Sequence, residues 1–179
     1  MIYTTKYKSP VGDILLASKN DKLIGLWIEG QKYYLSNFNE EIKRFDNDRI
    51  LIKTKNWLDR YFNKEKPNIK ELILNPIGSE FRQLVWKILC DIPYGKVVTY
   101  NDIAKQIAKK KGIKRMSAQA VGGAVGHNPI SIIIPCHRVV GTNGSLTGYA
   151  GGIEKKIYLL KHEQVDMKRL FIPKIGTAL

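Results

Sequence analysis

The apolar run Ile132-Ile133-Ile134 ends on Pro135-Cys136-His137-Arg138-Val139, and that junction constrains the chain more than any other. Proline cannot donate to a sheet ladder, so the pattern predicts a buried strand that stops at Ile134 and a turn that faces the next residues into a cleft. A cysteine beside a histidine in such a turn can become a thiolate, the form that attacks carbon. Free cysteine is also among the most buried residue types and often only fills space. Cys90 fits that plainer role, because Phe81, Leu84, Val85, Ile88 and Leu89 recur around it at helical spacing. For Cys136 the surrounding segments decide.

Upstream, the periodicity divides the chain into two units. Residues 2–7, 13–18 and 22–28 read as short strands punctuated by Ser9-Pro10-Val11-Gly12 and Lys19-Asn20-Asp21, an antiparallel meander. A charged helix from about Asn39 to Phe62 follows, with Leu51, Ile52, Trp57, Leu58, Tyr61 and Phe62 able to cover the sheet. Breakers at Lys64-Glu65-Lys66-Pro67-Asn68 and Asn75-Pro76-Ile77-Gly78 lead into the second unit.

There Ser79 can cap a helix through Phe81, and Ile92-Pro93-Tyr94-Gly95-Lys96 ends it. Thr99-Tyr100-Asn101-Asp102 has the pattern of a capping box, ahead of an apolar stripe Ile103, Ala104, Ile107 and Ala108. With Gly112 and a further helix beginning at Ser117, these segments make a helix-turn-helix. That further helix is built from Ala118, Ala120, Gly122, Gly123, Ala124 and Gly126, and each glycine costs roughly 1 kcal/mol relative to alanine. Either close packing against other helices or close approach of a nucleic acid backbone accounts for such a run.

The expected fold is α+β: a small N-terminal antiparallel sheet with a helix, residues 1–75, packed on a mainly helical C-terminal domain containing the helix-turn-helix, residues 76–168. A tail, residues 169–179, is expected to pack back through Leu170, Phe171 and Ile172.

Composition narrows the function classes. Across 179 residues, 30 Lys and Arg stand against 16 Asp and Glu, a net charge of +14 that favours association with a phosphate backbone. Much of the excess, Lys105, Lys109, Lys110, Lys111, Lys114 and Arg115, lies beside the helix-turn-helix. Two cysteines without close spacing argue against a disulfide framework, and with no apolar leader at the N-terminus a reducing, cytoplasmic setting is expected. No stretch approaches the roughly 20 apolar residues of a membrane span. The three histidines show no zinc spacing with the cysteines, so no metal is expected.

The segments Ser117-Ala118-Gln119-Ala120-Val121-Gly122-Gly123-Ala124-Val125-Gly126-His127-Asn128-Pro129, Ile134 to Val139, and Gly144-Ser145-Leu146-Thr147-Gly148-Tyr149-Ala150-Gly151-Gly152 together resemble the O6-alkylguanine-DNA alkyltransferases, the methylated-DNA-protein-cysteine methyltransferases. The resemblance runs from about Ser79 to Glu163 and is looser before it, where it implies a ribonuclease-H-like layer. It implies a DNA repair protein, active as a monomer without a cofactor, that binds double-stranded DNA containing O6-alkylguanine through the minor groove and extrudes the damaged nucleotide into a pocket. The alkyl group then moves irreversibly to Cys136, once per molecule.

By the same resemblance, His137 activates Cys136 through a water and is oriented by Glu163, Asn128 holds the turn, and Tyr100 donates to the guanine ring. Asn101, Ala118, Thr142, Tyr149 and Gly151 contact DNA or substrate, and Lys156 stands at the pocket edge. Gln119 occupies the place of the family's arginine finger and can still hydrogen-bond base edges but lacks the charge and planar fork of arginine, while Ala150 stands where some members have a serine and so removes a hydroxyl contact. Some members carry an N-terminal zinc, for which residues 1–126 hold only one cysteine and no histidine. Two rivals remain: a noncatalytic damage-recognition protein of the same fold, and a Cys-His hydrolase acting through an acyl-enzyme.

Overall fold

The computed structural model describes residues 1–36 and 38–174. Three strands, β1 (Ile2–Ser9), β2 (Gly12–Lys19) and β3 (Lys22–Ile28), form the expected meander. Asn20 and Asp21 both take positive φ, 50° and 57°, the conformation that a two-residue hairpin compatible with strand twist requires.

The next segment departs from the expectation. The helix expected from about Asn39 begins only at Arg49, and Ile42–Arg44 instead forms β4, paired parallel to β1 with Ile2 opposite Ile42. The sheet order is β3-β2-β1-β4, so its edge is parallel and the sheet is mixed. Asp46 draws the chain onto the sheet, accepting from Thr5 Oγ1 at 2.5 Å and from Arg44 Nε at 2.9 Å. Asp48 then accepts from Leu51 N and starts α1 (Arg49–Phe62). The buried face of α1, including Leu51, Trp57, Leu58 and Tyr61, packs with Leu16, Leu23 and Leu26 of the sheet.

The free edge of β3 joins the two lobes. Leu23 N donates to Ile73 O at 2.9 Å and Leu26 N to Pro129 O at 2.8 Å, while Ser131 N donates back to Leu26 O at 3.0 Å. These bonds satisfy part of an edge that would otherwise be open. One apolar core runs through both lobes, from Leu16 and Leu51 to Trp86, Ile103, Val121 and Ile134.

In the C-terminal lobe, α2 (Glu80–Leu89) is capped by Ser79, and Trp86 Nε1 donates to Ala124 O at 2.9 Å, holding α2 against α4. β5 (Val98–Thr99) leads into α3 (Tyr100–Lys111), whose Thr99–Asp102 capping box forms and whose end at Gly112 has φ +64°. Ser117 caps α4 (Ala118–Gly126). β6 (Val139–Val140) pairs parallel with β5, and α5 (Ile153–His162) closes the lobe.

Of the tail, Leu170 packs with the cluster of Val140, Leu146, Leu160 and Val165. Phe171 and Ile172 are exposed, contrary to the expectation that all three pack back, because the segment is held by backbone instead: Leu146 N donates to Phe171 O at 2.8 Å and Phe171 N to Gly144 O at 3.2 Å. Residues 175–179 of the tail lie outside the described residues.

Candidate active site

The run Ile132-Ile133-Ile134 is not a strand. Only Ile130 bridges β3, at Leu26, and residues 131–134 then fold into a compact turn. Asn128 supplies the missing partners: its Oδ1 accepts from Ile130 N at 3.0 Å and its Nδ2 donates to Ile134 O at 2.8 Å. One buried side chain thus satisfies backbone groups that a neighbouring strand would otherwise meet. Ile132 has φ +69°, unfavourable for a β-branched residue, so the turn holds strain that its surroundings must offset.

After Pro135, Cys136–Arg138 form one tight helical turn. Asn128 Nδ2 donates to Cys136 Sγ at 3.1 Å, while His137 turns to Glu163, with Nε2 2.6 Å from Oε1. Both His137 and Glu163 are buried. With Glu163 ionised, His137 Nε2 carries the proton and donates, which leaves Nδ1 an acceptor. Nδ1 is itself buried without a protein partner.

Glu163, the cap residue of α5, is a junction for three further donors. Arg138 donates through Nε to Oε2 at 2.8 Å and through Nη2 to Oε1 at 3.0 Å; Tyr61 donates its hydroxyl to Oε1 at 2.7 Å; Gly95 N reaches Oε2 at 3.3 Å. Burial alone would raise the Glu163 carboxyl, but His137 and Arg138 outweigh it and hold the group well below the usual carboxylate range. Burial lowers His137 below its ordinary value despite Glu163, keeping the ring neutral at rest. Sequence reasoning passed over Arg138 and Tyr61, which meet at Glu163. Arg138 was visible inside the Pro-Cys-His-Arg-Val segment, whereas Tyr61, 102 residues from Glu163, carried no signal beyond an apolar stripe.

Cys136 is 4% exposed, and burial pushes its thiol up, with Asn128 and the charge of Lys156 pulling the other way. Lys156 is not at a pocket edge. It is wholly buried, its Nζ donating to Val139 O at 2.6 Å and to Thr147 O at 2.7 Å, and burial brings it down to about 8. The reason lies in the start of α5: Gly152, at φ +94°, turns the chain so that the first helical turn buries Lys156 against β6 and the 147–148 loop. Thr147 O also accepts from the Tyr100 hydroxyl at 3.0 Å, and burial with the neighbouring thiol raises Tyr100 to about 12, so it remains a proton-bearing donor.

Beside Tyr100 opens a cleft of about 160 Å³, between Gly122, Gly123 and Gly126 of α4 with its cap residue His127 and the loop Gly148-Tyr149-Ala150, with Lys32 and Tyr33 at its rim; Cys136 lies behind this lining and is not part of it. A Cβ added at Gly123 or Gly126 would meet nothing, and one at Gly122 only the Tyr100 ring at 3.8 Å. Internal packing therefore does not demand these glycines, and they present a bare backbone face. At Gly148, with φ +69°, a Cβ would stand 2.8 Å from the Tyr100 hydroxyl, so the loop needs glycine there.

Tyr149 is buried, with its hydroxyl unpartnered, and a Cβ at Gly151 would lie 2.8 Å from its ring. Asn101 and Ala118 are half-buried in the first turns of α3 and α4, and Gln119 and Thr142 are exposed; none of the four lines the cleft. Lys105, Lys109, Lys110, Lys111, Lys114 and Arg115 are all exposed along α3 and its connection to α4. Cys90 is partly buried against the core, its thiol pushed to about 11 by burial. Among the described residues no three His, Cys, Asp or Glu side chains gather as a metal site, and no helix is long and apolar enough to cross a membrane.

Residues 2–76 match the model of the 6-O-methylguanine DNA methyltransferase ribonuclease-like domain, and residues 80–165 that of the 6-O-methylguanine DNA methyltransferase DNA binding domain. The methylated-DNA-protein-cysteine methyltransferase of Haemophilus influenzae is 38% identical over 164 residues, covering 92% of this chain and 87% of that protein. The protein of the same name from Methanosarcina acetivorans is 40% identical over 169 residues, covering 90% and 98%. The crystal structure of Mycobacterium tuberculosis OGT in complex with DNA aligns with a TM-score of 0.75 at 36% identity, covering 90% of this chain and 92% of that one. Because the similarity extends through both lobes and is not confined to the cysteine turn, the chain belongs to the 6-O-methylguanine DNA methyltransferase family.

Proposed function

We propose that this chain is a DNA repair protein that moves a methyl or other alkyl group from O6-alkylguanine in double-stranded DNA to Cys136, once per molecule. The observation that carries the reading is Cys136 Sγ held at 3.1 Å by Asn128, next in the chain to a buried His137 whose outer nitrogen is free.

The basic face of α3 and the bare glycine face of α4 enter the minor groove of the duplex as a monomer, and the damaged nucleotide swings into the cleft, at a cost of a few kcal/mol. The thiol proton passes through a water to His137 Nδ1, and the resulting imidazolium is stabilised by Glu163, itself fixed by Arg138 and Tyr61. The Cys136 thiolate attacks the alkyl carbon; the S–C bond forms as the C–O6 bond breaks. The electron pair goes to the guanine, whose charge is met by the Tyr100 hydroxyl. Thr147 O, held by Lys156 Nζ, keeps the Tyr100 hydroxyl in place until its one proton turns to the base, and Lys156 places a positive charge near the thiolate.

The product is a thioether that ordinary cellular reductants do not cleave, so no second turnover follows. The acceptor must begin as a free thiol, which fits a reducing, cytoplasmic setting.

Mass spectrometry of the intact protein and its peptides, after incubation with duplex containing O6-methylguanine, tests the reading. One methyl on Cys136, absent in Cys136→Ser, is the expected result. Unmodified protein that still binds the lesion indicates damage recognition without transfer. Repeated turnover of an ester, with neither methylation nor binding, indicates a hydrolase.

A further inference from the structure

The rim of the cleft comes from the N-terminal lobe, and it is built in. Gln31 is 5% exposed, and its Oε1 accepts from Ile28 N at 3.1 Å and from Ser131 Oγ at 2.9 Å, inside the turn that leads to Cys136. Lys32 N donates to Ala150 O at 3.1 Å, and Lys155 Nζ reaches Glu29 O at 2.6 Å. Above them the Tyr33 ring stacks on His127, with centroids 3.9 Å apart and planes at 23°, and His127 Nδ1 lies 2.7 Å from Gly123 O. The segment from Glu29 to Tyr33 is therefore fastened on one side to the cysteine turn and on the other to the loop facing α4.

The size of this open cleft gives these links a consequence. The cleft measures about 160 Å³, and a cavity of about 150 Å³ is enough for one benzene ring. A purine with a small substituent already needs that volume and part of the open mouth. A substituent carrying a second ring must move a wall.

The walls differ in how far they can yield. The α4 wall is backbone at Gly122, Gly123 and Gly126, and Tyr149 opposite is 4% exposed. Tyr33 is 48% exposed and, like Leu35, sits at a left-handed φ, 59° and 50°, which disfavours its present conformation.

We propose that Tyr33, stacked on His127 and anchored through Gln31, is the specificity-determining wall of the alkyl-acceptor cleft and sets the largest O6 substituent this chain accepts. The inference rests on the alkyl-transfer reading above. A methyl or ethyl group fits beneath the stack; a benzyl group has to displace Tyr33 from His127 and forfeit the stacking contact. Ala150 has only a methyl side chain and its carbonyl accepts from Lys32 N, so of the exposed rim side chains, Lys32 and Tyr33, it is Tyr33 that sets a ring against the cleft.

The test compares single-turnover rates of Cys136 alkylation from O6-methylguanine and O6-benzylguanine placed in the same duplex. Wild type should react faster with the methyl substrate. Tyr33→Ala should raise the benzyl-to-methyl rate ratio by about tenfold, the scale on which pocket size separates substrates. Tyr33→Phe keeps the ring and should leave the ratio where it is. An unchanged ratio in Tyr33→Ala overturns the proposal, as does an equal rise in both rates, which would make the stack a barrier to entry regardless of size. If wild type is alkylated by neither substrate, the alkyl-transfer reading itself fails; a normal methyl rate with an unchanged ratio removes only the role of Tyr33.

Discussion

Asn128 Nδ2 donates to Cys136 Sγ at 3.1 Å and to Ile134 O at 2.8 Å, so a single amide both shapes the turn and touches the nucleophile. The two duties make different predictions. A hydrogen bond to a charged group contributes about 1.5–3 kcal/mol, and losing it from the thiolate should raise the thiol further above its ordinary range. Asn128→Ala should therefore slow alkylation about ten- to hundredfold at pH 7, with part of the rate recovered at higher pH. A uniform loss at every pH would restrict Asn128 to shaping the turn.

The Glu163 junction makes stability depend on acid. Burial opposes its charge, but His137 and Arg138 hold its folded-state value below the unfolded one, and burial does the same for His137. Below about pH 6.5 for the histidine and about pH 4.3 for the carboxylate, the unfolded chain binds more protons than the folded one. Both contributions are thus complete above those values and fall away as pH drops through and beneath them. Glu163→Gln leaves the Arg138 charge without its partner, and breaking a buried pair in this way costs about 3–5 kcal/mol. In urea unfolding the variant should show that deficit at pH 7.5, with a gap that holds down to about pH 4.3 and narrows below it, as protonation of the carboxylate in the unfolded chain erodes the advantage of wild type. A gap that stays constant would mean Glu163 contributes packing and not charge.

Lys156 carries its charge beneath the site. Because its folded value is about 8 and an unfolded lysine titrates near about 10.4, the folded chain releases this proton first, and the burial cost shrinks as pH rises between the two. Lys156→Met fills similar space but takes the lysine donor from Val139 O, a buried acceptor whose loss of a partner costs about 1–3 kcal/mol, and leaves Thr147 O with the Tyr100 hydroxyl. It also removes a positive charge that favours the thiolate. The pH-rate profile for alkylation should move to higher pH in Lys156→Met; an unmoved profile with a lower melting temperature would leave Lys156 a structural tie alone.

Much of this arrangement was legible where its cause is local. Ser79, Thr99 with Asp102, Gly112 and Ser117 each bound a helix within a few residues, and all four mark the observed ends. The chain was harder to read where the deciding partner is distant. Residues 42–44 look helical until β1 offers them an edge, and Ile132-Ile133-Ile134 looks like a strand until the Asn128 amide takes the place of a neighbouring strand. Cys136 announced itself beside His137, but Arg138 and Tyr61 acquire meaning only at Glu163, 25 and 102 residues away. The resemblance puts Lys156 at the pocket edge, and only the turn at Gly152 shows that it is buried.

Gln119 gives a prediction about DNA alone. It is exposed in the first turn of α4, two residues after the Ser117 cap, where it lines no part of the cleft and makes no link to Cys136. An arginine there adds a charge and a planar fork without disturbing the core. If the position meets DNA, Gln119→Arg should tighten binding several-fold near 100 mM salt, and log-log plots of affinity against salt should steepen by about 0.9 for the one additional phosphate neutralised. Fluorescence anisotropy of a labelled duplex between 50 and 200 mM salt measures both. Single-turnover alkylation at saturating DNA should change much less than affinity, since the thiol, His137 and Glu163 are untouched. Unchanged affinity and an unchanged slope would place position 119 away from the DNA and leave Lys114, Arg115 and the lysines of α3 to carry the electrostatic contact.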